Sequence, residues 1–115
     1  MRDFDLLHKS GRFVGGKLLN AKVWRIDPSV FPRRKYAVSD LKIAFVVSTK
    51  VSKSAVVRNR AKRQMREVVR LLVKAGNIRH GYLISLMAKG NVLGQPYGEI
   101  EKSVVDVLRR GGVLM

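Results

Sequence analysis

The hydrophobic positions of the chain fall into two alternating stretches, one longer periodic stretch and further apolar runs. Phe4 and Leu7 sit three apart in residues 2–10, with Asp3 and Asp5 in the first turn, where a helix dipole favours acids. That stretch predicts a short helix ended by Gly11. Residues 13–26 read as extended, with Gly15-Gly16 breaking them into two strand pieces. Leu19, Ala21 and Val23 alternate with Asn20, Lys22 and Trp24, which predicts one core face and one face carrying Lys22 and Trp24 side by side. Asp27-Pro28 and Phe31-Pro32 mark a long basic loop to about residue 40. Leu41–Ser48 is apolar on both faces, the pattern of a central strand.

The organising stretch follows. On a helix starting from about Ser54, Val57, Ala61, Met65, Val68 and Leu72 make one apolar stripe, while Arg58, Lys62, Arg66 and Arg70 recur every four residues on another face. Ser54 is placed to cap the first turn with its hydroxyl, and Gly76-Asn77 to end the helix. Tyr82–Ala88 is a second near-continuous apolar strand. Pro96 fits the start of a last helix with Tyr97, Ile100, Val104 and Leu108 as its stripe, and Gly111-Gly112 as its stop.

Composition narrows what these elements serve. One domain spanning residues 1–115 is expected, with a hydrophobic content of 46%, too high for a disordered basic tail. Lys and Arg number 24 against 8 acids, a formal charge of +16, which calls for a polyanionic partner. With no cysteine there is neither a disulfide framework nor a thiolate metal site, and a reducing cytoplasmic setting is the natural home. The apolar runs are too short to cross a bilayer, and the first ten residues lack the long apolar region of a signal peptide.

The charge is concentrated. Lys50, Lys53, Arg58, Arg60, Lys62, Arg63 and Arg66 lie in one run that holds no acid before Glu67. A merely solvated helix face mixes signs, with acids spaced to support bases. A one-signed face is self-repulsive until phosphates neutralise it, and guanidinium groups suit phosphate through paired hydrogen bonds. No catalytic constellation accompanies this face. Asp3/Asp5 and Glu99/Glu101 read as acids at helix starts, His8 and His80 are far apart in sequence, and no glycine loop of the P-loop kind is present.

The run AVVRNRAKRQMRE (55–67) resembles the signature of the protein subunit of bacterial ribonuclease P. KIAFVVSTKVSKS (42–54) is similar to the strand and turn before that helix, and RDFDLLHKSGRFV (2–14) to the family's first helix. The resemblance implies an α+β two-layer sandwich in the order α-β-β-β-α-β-α. Its mixed four-stranded sheet has a left-handed crossover, the fold of ribosomal protein S5 domain 2. It also implies an RNA-binding subunit of an endoribonuclease, with no catalytic residues of its own. Catalysis would belong to a partner RNA that cuts precursor tRNA at its 5′ end, with Mg2+ held mainly by that RNA.

By the same resemblance, Lys53, Arg58, Asn59, Arg60, Lys62, Arg63 and Arg66 would bind the catalytic RNA. Phe4, His8, Lys22, Trp24 and Lys50 would hold the single-stranded 5′ leader. Trp24 is the best stacking candidate and Phe45 the better candidate for core. The family's next cleft aromatic after Phe4 falls on His8, and the family's basic lead-in before the first helix is missing. Ser52 and Ser54 replace glycine or alanine in the turn before the central helix. Two other readings stay open on residues alone: a ribosomal or general RNA-binding protein of similar fold, and a freestanding nuclease using His8 or His80.

Overall fold

A computed structural model of the protein describes residues 11–26 and 41–115. The expected first helix over 2–10 and the basic loop to residue 40 lie outside the described residues. Four strands form one sheet: β1 (Arg12–Val14), β2 (Leu19–Arg25), β3 (Leu41–Val46) and β4 (Tyr82–Ala88), in spatial order β1-β2-β4-β3. β1 and β2 are antiparallel, as are β2 and β4, whereas β3 runs parallel to β4. Two helices complete the described part: α1 (Ala55–Lys74), which carries the chain from β3 to β4, and α2 (Tyr97–Arg110).

The break at Gly15-Gly16 is a close-packing requirement. A Cβ on Gly16 would stand 2.3 Å from the Leu19 carbonyl oxygen and 2.5 Å from the Val107 side chain. Only a hydrogen lets α2 approach the turn so closely. Two further ties hold α2 to this turn. The buried Ser103 hydroxyl accepts from the Leu18 amide at 3.2 Å, and the Arg110 guanidinium donates to the Gly15 carbonyl.

The core lies between one face of the sheet and the two helices. Leu19, Ala21 and Val23 on β2 and Ile84 and Leu86 on β4 are buried there. Ala61, Met65, Val68 and Val69 come down from α1, and Ile100, Val104, Val107 and Leu108 from α2. The expected stripes hold along their middles, with exceptions at both ends of α1 and at Tyr97, half-buried at the start of α2. Val57 is 38% exposed, and Leu72 is only half-buried.

Helix ends follow local chemistry. Ser54 caps α1 by accepting from the Val57 amide at 3.3 Å. At its other end Gly76 takes φ 73°, with the Asn77 amide returning to the Leu72 carbonyl and the Gly76 amide to that of Val73. That is the left-handed exit for which glycine is the cheapest residue. Gly112 ends α2 in the same way, with φ 79° and the Val113 amide bonded to the Leu108 carbonyl. Pro96 is the residue before α2 rather than its first helical position.

Three expectations are corrected. β3 stops at Val46, two residues short of Ser48, because Ser48 starts a turn in which its carbonyl accepts from the Val51 amide. β3 is also an edge strand among the described strands, not a central one. Its apolar residues are mostly half-buried, and the truly buried two-faced strand is β4. The third concerns Trp24. It shares the sheet face remote from the helices with Lys22, but it is only 8% exposed, opposite the buried Leu83 in the ladder. Its indole is therefore not an open stacking platform.

Candidate nucleic-acid interface

α1 positions the basic residues, and the turn before it is built from hydroxyls. Ser48 Oγ accepts from the Lys50 amide, Ser52 Oγ from the Ser54 amide and Ser54 Oγ from the Val57 amide. The serines thus supply, as side-chain acceptors, the local geometry that a turn otherwise takes from glycine. Arg58 locks the same turn, donating from Nη1 to the Ser52 carbonyl at 2.8 Å.

From this start α1 sends basic side chains along two flanks, not one stripe. Toward β3, Arg66 lies over the half-buried Phe45 ring at 5.6 Å from its centroid. Phe45 thus belongs to the core margin, as expected, and also orients a guanidinium. Lys62 is half-buried on this side, one turn from both Arg58 and Arg66. On the flank toward α2, Arg60, Arg63, Gln64, Glu67 and Arg70 line an open cleft with Tyr97, and Arg66 borders it as well. Between the flanks Asn59 is exposed, and Lys50 and Lys53 are exposed on the turn.

The electrostatics of the two flanks differ. Arg70 is engaged by Glu67 through two bonds of 2.9 and 2.7 Å, and that pairing holds the Glu67 carboxyl below its usual range. Among the described residues no carboxylate pairs with Arg58, Arg60, Lys62, Arg63 or Arg66. Thus all but one of the arginines that the sequence singled out on α1 keep their charge available.

A second surface lies on the sheet face away from the helices. Lys22 is half-buried there and faces Phe13 across the β1–β2 ladder. Phe13 is 57% exposed, making it the open aromatic of this face in place of Trp24. Its position in a short strand beside a double glycine gave no periodicity from which to rank it. Phe4 and His8 lie outside the described residues, so of the leader-cleft set the structure brings together Lys22 and Trp24, with Phe13, which was not in that set, beside them. Lys50 sits apart from them in chain position, on the turn into α1.

The chemistry of the remaining titratable groups is limited. His80 is exposed in a small cleft with Arg25, Arg79 and Tyr82, and no carboxylate among the described residues lines that cleft. No three metal-ligating side chains converge among the described residues. Asp106 is engaged by Arg110 at 2.7 Å, which holds its carboxyl below the usual range. The described residues therefore do not fit a resident magnesium site. No helix among them is long and apolar enough to cross a membrane.

Comparison with known proteins agrees with this picture. The chain is 38% identical over 81 residues to the ribonuclease P protein component of Symbiobacterium thermophilum, a match covering 70% of this chain and 68% of that protein. It is 32% identical over 109 residues to the corresponding component of Alkaliphilus metalliredigens, covering 95% and 86%. Two cyanobacterial relatives are matched over 53% of their lengths. The fold superposes on that of the Staphylococcus aureus ribonuclease P protein with a TM-score of 0.78 and 22% identity, covering 98% of this chain and 92% of that one. The family profile for ribonuclease P matches residues 1–112, and the chain belongs to that family.

Proposed function

We propose that this chain is the RNA-binding protein subunit of a ribonuclease P, assembling with the catalytic RNA through α1 and holding the 5′ leader of precursor tRNA against the sheet. The observation that carries the reading is the α1 surface, where five cations from Arg58 to Arg66 have no carboxylate partner among the described residues. Their repulsion is relieved when phosphates condense on them and release counterions. Lys53, Arg58, Asn59, Arg60, Lys62, Arg63 and Arg66 are the residues assigned to the catalytic RNA. Arg58 has a double duty, since it also fastens the turn that starts the helix.

The leader side uses different physics. A single strand of variable sequence is held by backbone charge and stacking rather than by base-edge readout. Lys22 and Lys50 would supply charge. Phe13 would supply an exposed ring, in the role for which Trp24 was the sequence candidate. Phe4 and His8 complete the assigned set from the segment outside the described residues.

Magnesium would belong mainly to the RNA partner, because no three metal-ligating side chains converge among the described residues and Glu67 and Asp106 are held by arginines. The protein's contribution is to offset repulsion between two RNAs and so lower the magnesium and salt needed for assembly. A cytoplasmic setting fits a chain with no cysteine and an RNA partner.

Cleavage of precursor tRNA at low magnesium, with a bacterial ribonuclease P RNA and with or without this protein, tests the reading. Restored cleavage at the correct 5′ position, by a protein inert alone, is the expected result. Tight RNA binding without rescue would favour a general RNA-binding protein, and cleavage by the protein alone would favour a nuclease using His8 or His80.

A further inference from the structure

We propose that the groove between α1 and α2, centred on Tyr97, seats one unstacked nucleotide of the RNA partner, apart from the sheet face. The inference rests on the reading of α1 as an RNA-binding helix and adds a subsite to it.

Two adjoining cavities of about 560 and 690 Å³ share Arg60, Gln64 and Tyr97. Each lies in the size range of small-molecule sites. Ala61 and Pro96 are among the residues that line the first. The Tyr97 hydroxyl is buried, yet it has no hydrogen-bond partner among the described residues. Burial, with Glu101 and Glu67 nearby, pushes its pKa up, so it stands as a neutral donor and acceptor. A buried polar atom without a partner is rare enough to call for an explanation, and a ligand is one.

The remaining groups suit one occupant. The Tyr97 ring and Pro96 offer a surface for a base. The Gln64 amide offers a donor and an acceptor for a base edge. Arg60 and Arg63 stand at the mouth without a carboxylate partner among the described residues, ready for the phosphates. Glu67 is occupied by Arg70. A nucleotide uses a ring face, a hydrogen-bonding edge and an anion together. A second copy of this chain carries +16 and would bring like charge to the same mouth. Recognition of RNA by splayed-out bases stacked on aromatic side chains is the usual route to contacts outside duplexes.

The absence of cysteine makes a site-directed test direct. Gln95→Cys places a unique attachment point in the groove for a short photo-crosslinker, and Lys53→Cys places one on the outer turn. Both proteins are reconstituted with a bacterial ribonuclease P RNA, with and without precursor tRNA. The expected result is a crosslink from Gln95→Cys to one or two unpaired nucleotides. Adding Tyr97→Leu should abolish it and weaken RNA binding about five-fold or more, the scale of one lost stacking contact. Tyr97→Phe, which keeps the ring and the packing, should weaken binding by less.

Crosslinking from Lys53→Cys but not from Gln95→Cys would overturn the subsite while leaving α1 as the RNA-binding helix. A crosslink to a second protein copy, or one indifferent to Tyr97→Leu, would overturn it too. Silence at both positions would overturn the subsite and the RNA-binding reading together.

Discussion

α1 and α2 pack side by side on the same sheet face, and both bury a clean apolar stripe. Their outer faces obey opposite rules. α2 carries Glu99, Glu101 and Asp106 against Lys102, Arg109 and Arg110, an equal balance. Two of those acids pair within the helix, Glu99 with Lys102 and Asp106 with Arg110. α1 carries seven basic residues against Glu67 alone. α2 is thus balanced within the protein: two of its three acids are paired along the helix, and Arg110 also fastens the Gly15 turn. α1 leaves its charge unsatisfied. Two helices of similar packing and opposite electrostatics separate what folds the chain from what the chain binds.

The comparison predicts where the helices should behave alike. Met65 and Ile100 are both fully buried, one beneath each helix. Met65→Ala and Ile100→Ala should each cost about 2–5 kcal/mol of stability, from lost transfer energy and the cavity left behind. Urea titration measures both. A loss confined to one of them would mean that the helices do not share one core.

A smaller effect should separate the outer faces. Arg60→Ala and Arg63→Ala should each weaken RNA binding about ten-fold. Each should also lower the salt slope by about 0.7–0.9, the share of one phosphate contact. Stability should hold or rise slightly as like-charge repulsion falls. Arg110→Ala should do the reverse, loosening the Gly15 turn while leaving RNA affinity and its salt slope in place. If Arg110→Ala matched Arg63→Ala in the RNA assay, the division between the helices would fail.

Ser54→Ala tests the link between fold and site, because the cap sets where α1 begins. It should cost about 1 kcal/mol. It should also weaken RNA binding modestly, since the turn carrying Lys50 and Lys53 depends on the same serine relay. An unchanged midpoint in thermal unfolding would show that the Ser54 bond adds nothing beyond what water supplies.

Much of this was legible in the residues, and the gaps have physical causes. The α1 stripe, its Ser54 cap and its Gly76 exit were readable because periodicity and capping are local chemistry. Family membership was legible in residues 55–67, where the spacing of Arg58, Asn59, Arg60, Lys62, Arg63 and Arg66 carries the resemblance. The place of β3 in the sheet was not. Strand order is set by long-range pairing, and an edge strand that covers one flank of a helix can be as apolar as a central one. Trp24 failed for a related reason: alternation gives the face of a side chain but not what closes over that face. Phe13, paired across the ladder with Lys22, was the open ring. The division of the arginines into two flanks needed the position of Tyr97, which comes from α2, some thirty residues beyond α1's arginines in the chain.

The smallest effect concerns the two acids that arginines hold in place. Hydrogen bonds from Arg70 and Arg110 lower the carboxyl pKa values of Glu67 and Asp106 below the ordinary 4.5 and 3.8. A carboxylate with a lowered folded-state pKa stabilises the fold above its unfolded value. That contribution is lost as pH falls through the folded value. Both pairs should therefore contribute at neutral pH and fade on acidification below about pH 4.5, and both are exposed enough to keep the effect small. Thermal midpoints from pH 6 to pH 2.5 should fall slightly less steeply for Glu67→Gln and Asp106→Asn than for the unaltered chain. The two variants should then part company in the RNA assay. Glu67→Gln releases Arg70 on the α1 flank, so it should tighten RNA binding at low salt and steepen the salt slope. Asp106→Asn releases Arg110, which still donates to the Gly15 carbonyl, so RNA binding should stay unchanged. Equal tightening by both variants would mean that net charge alone governs binding, and that the placement of charge on α1 does not.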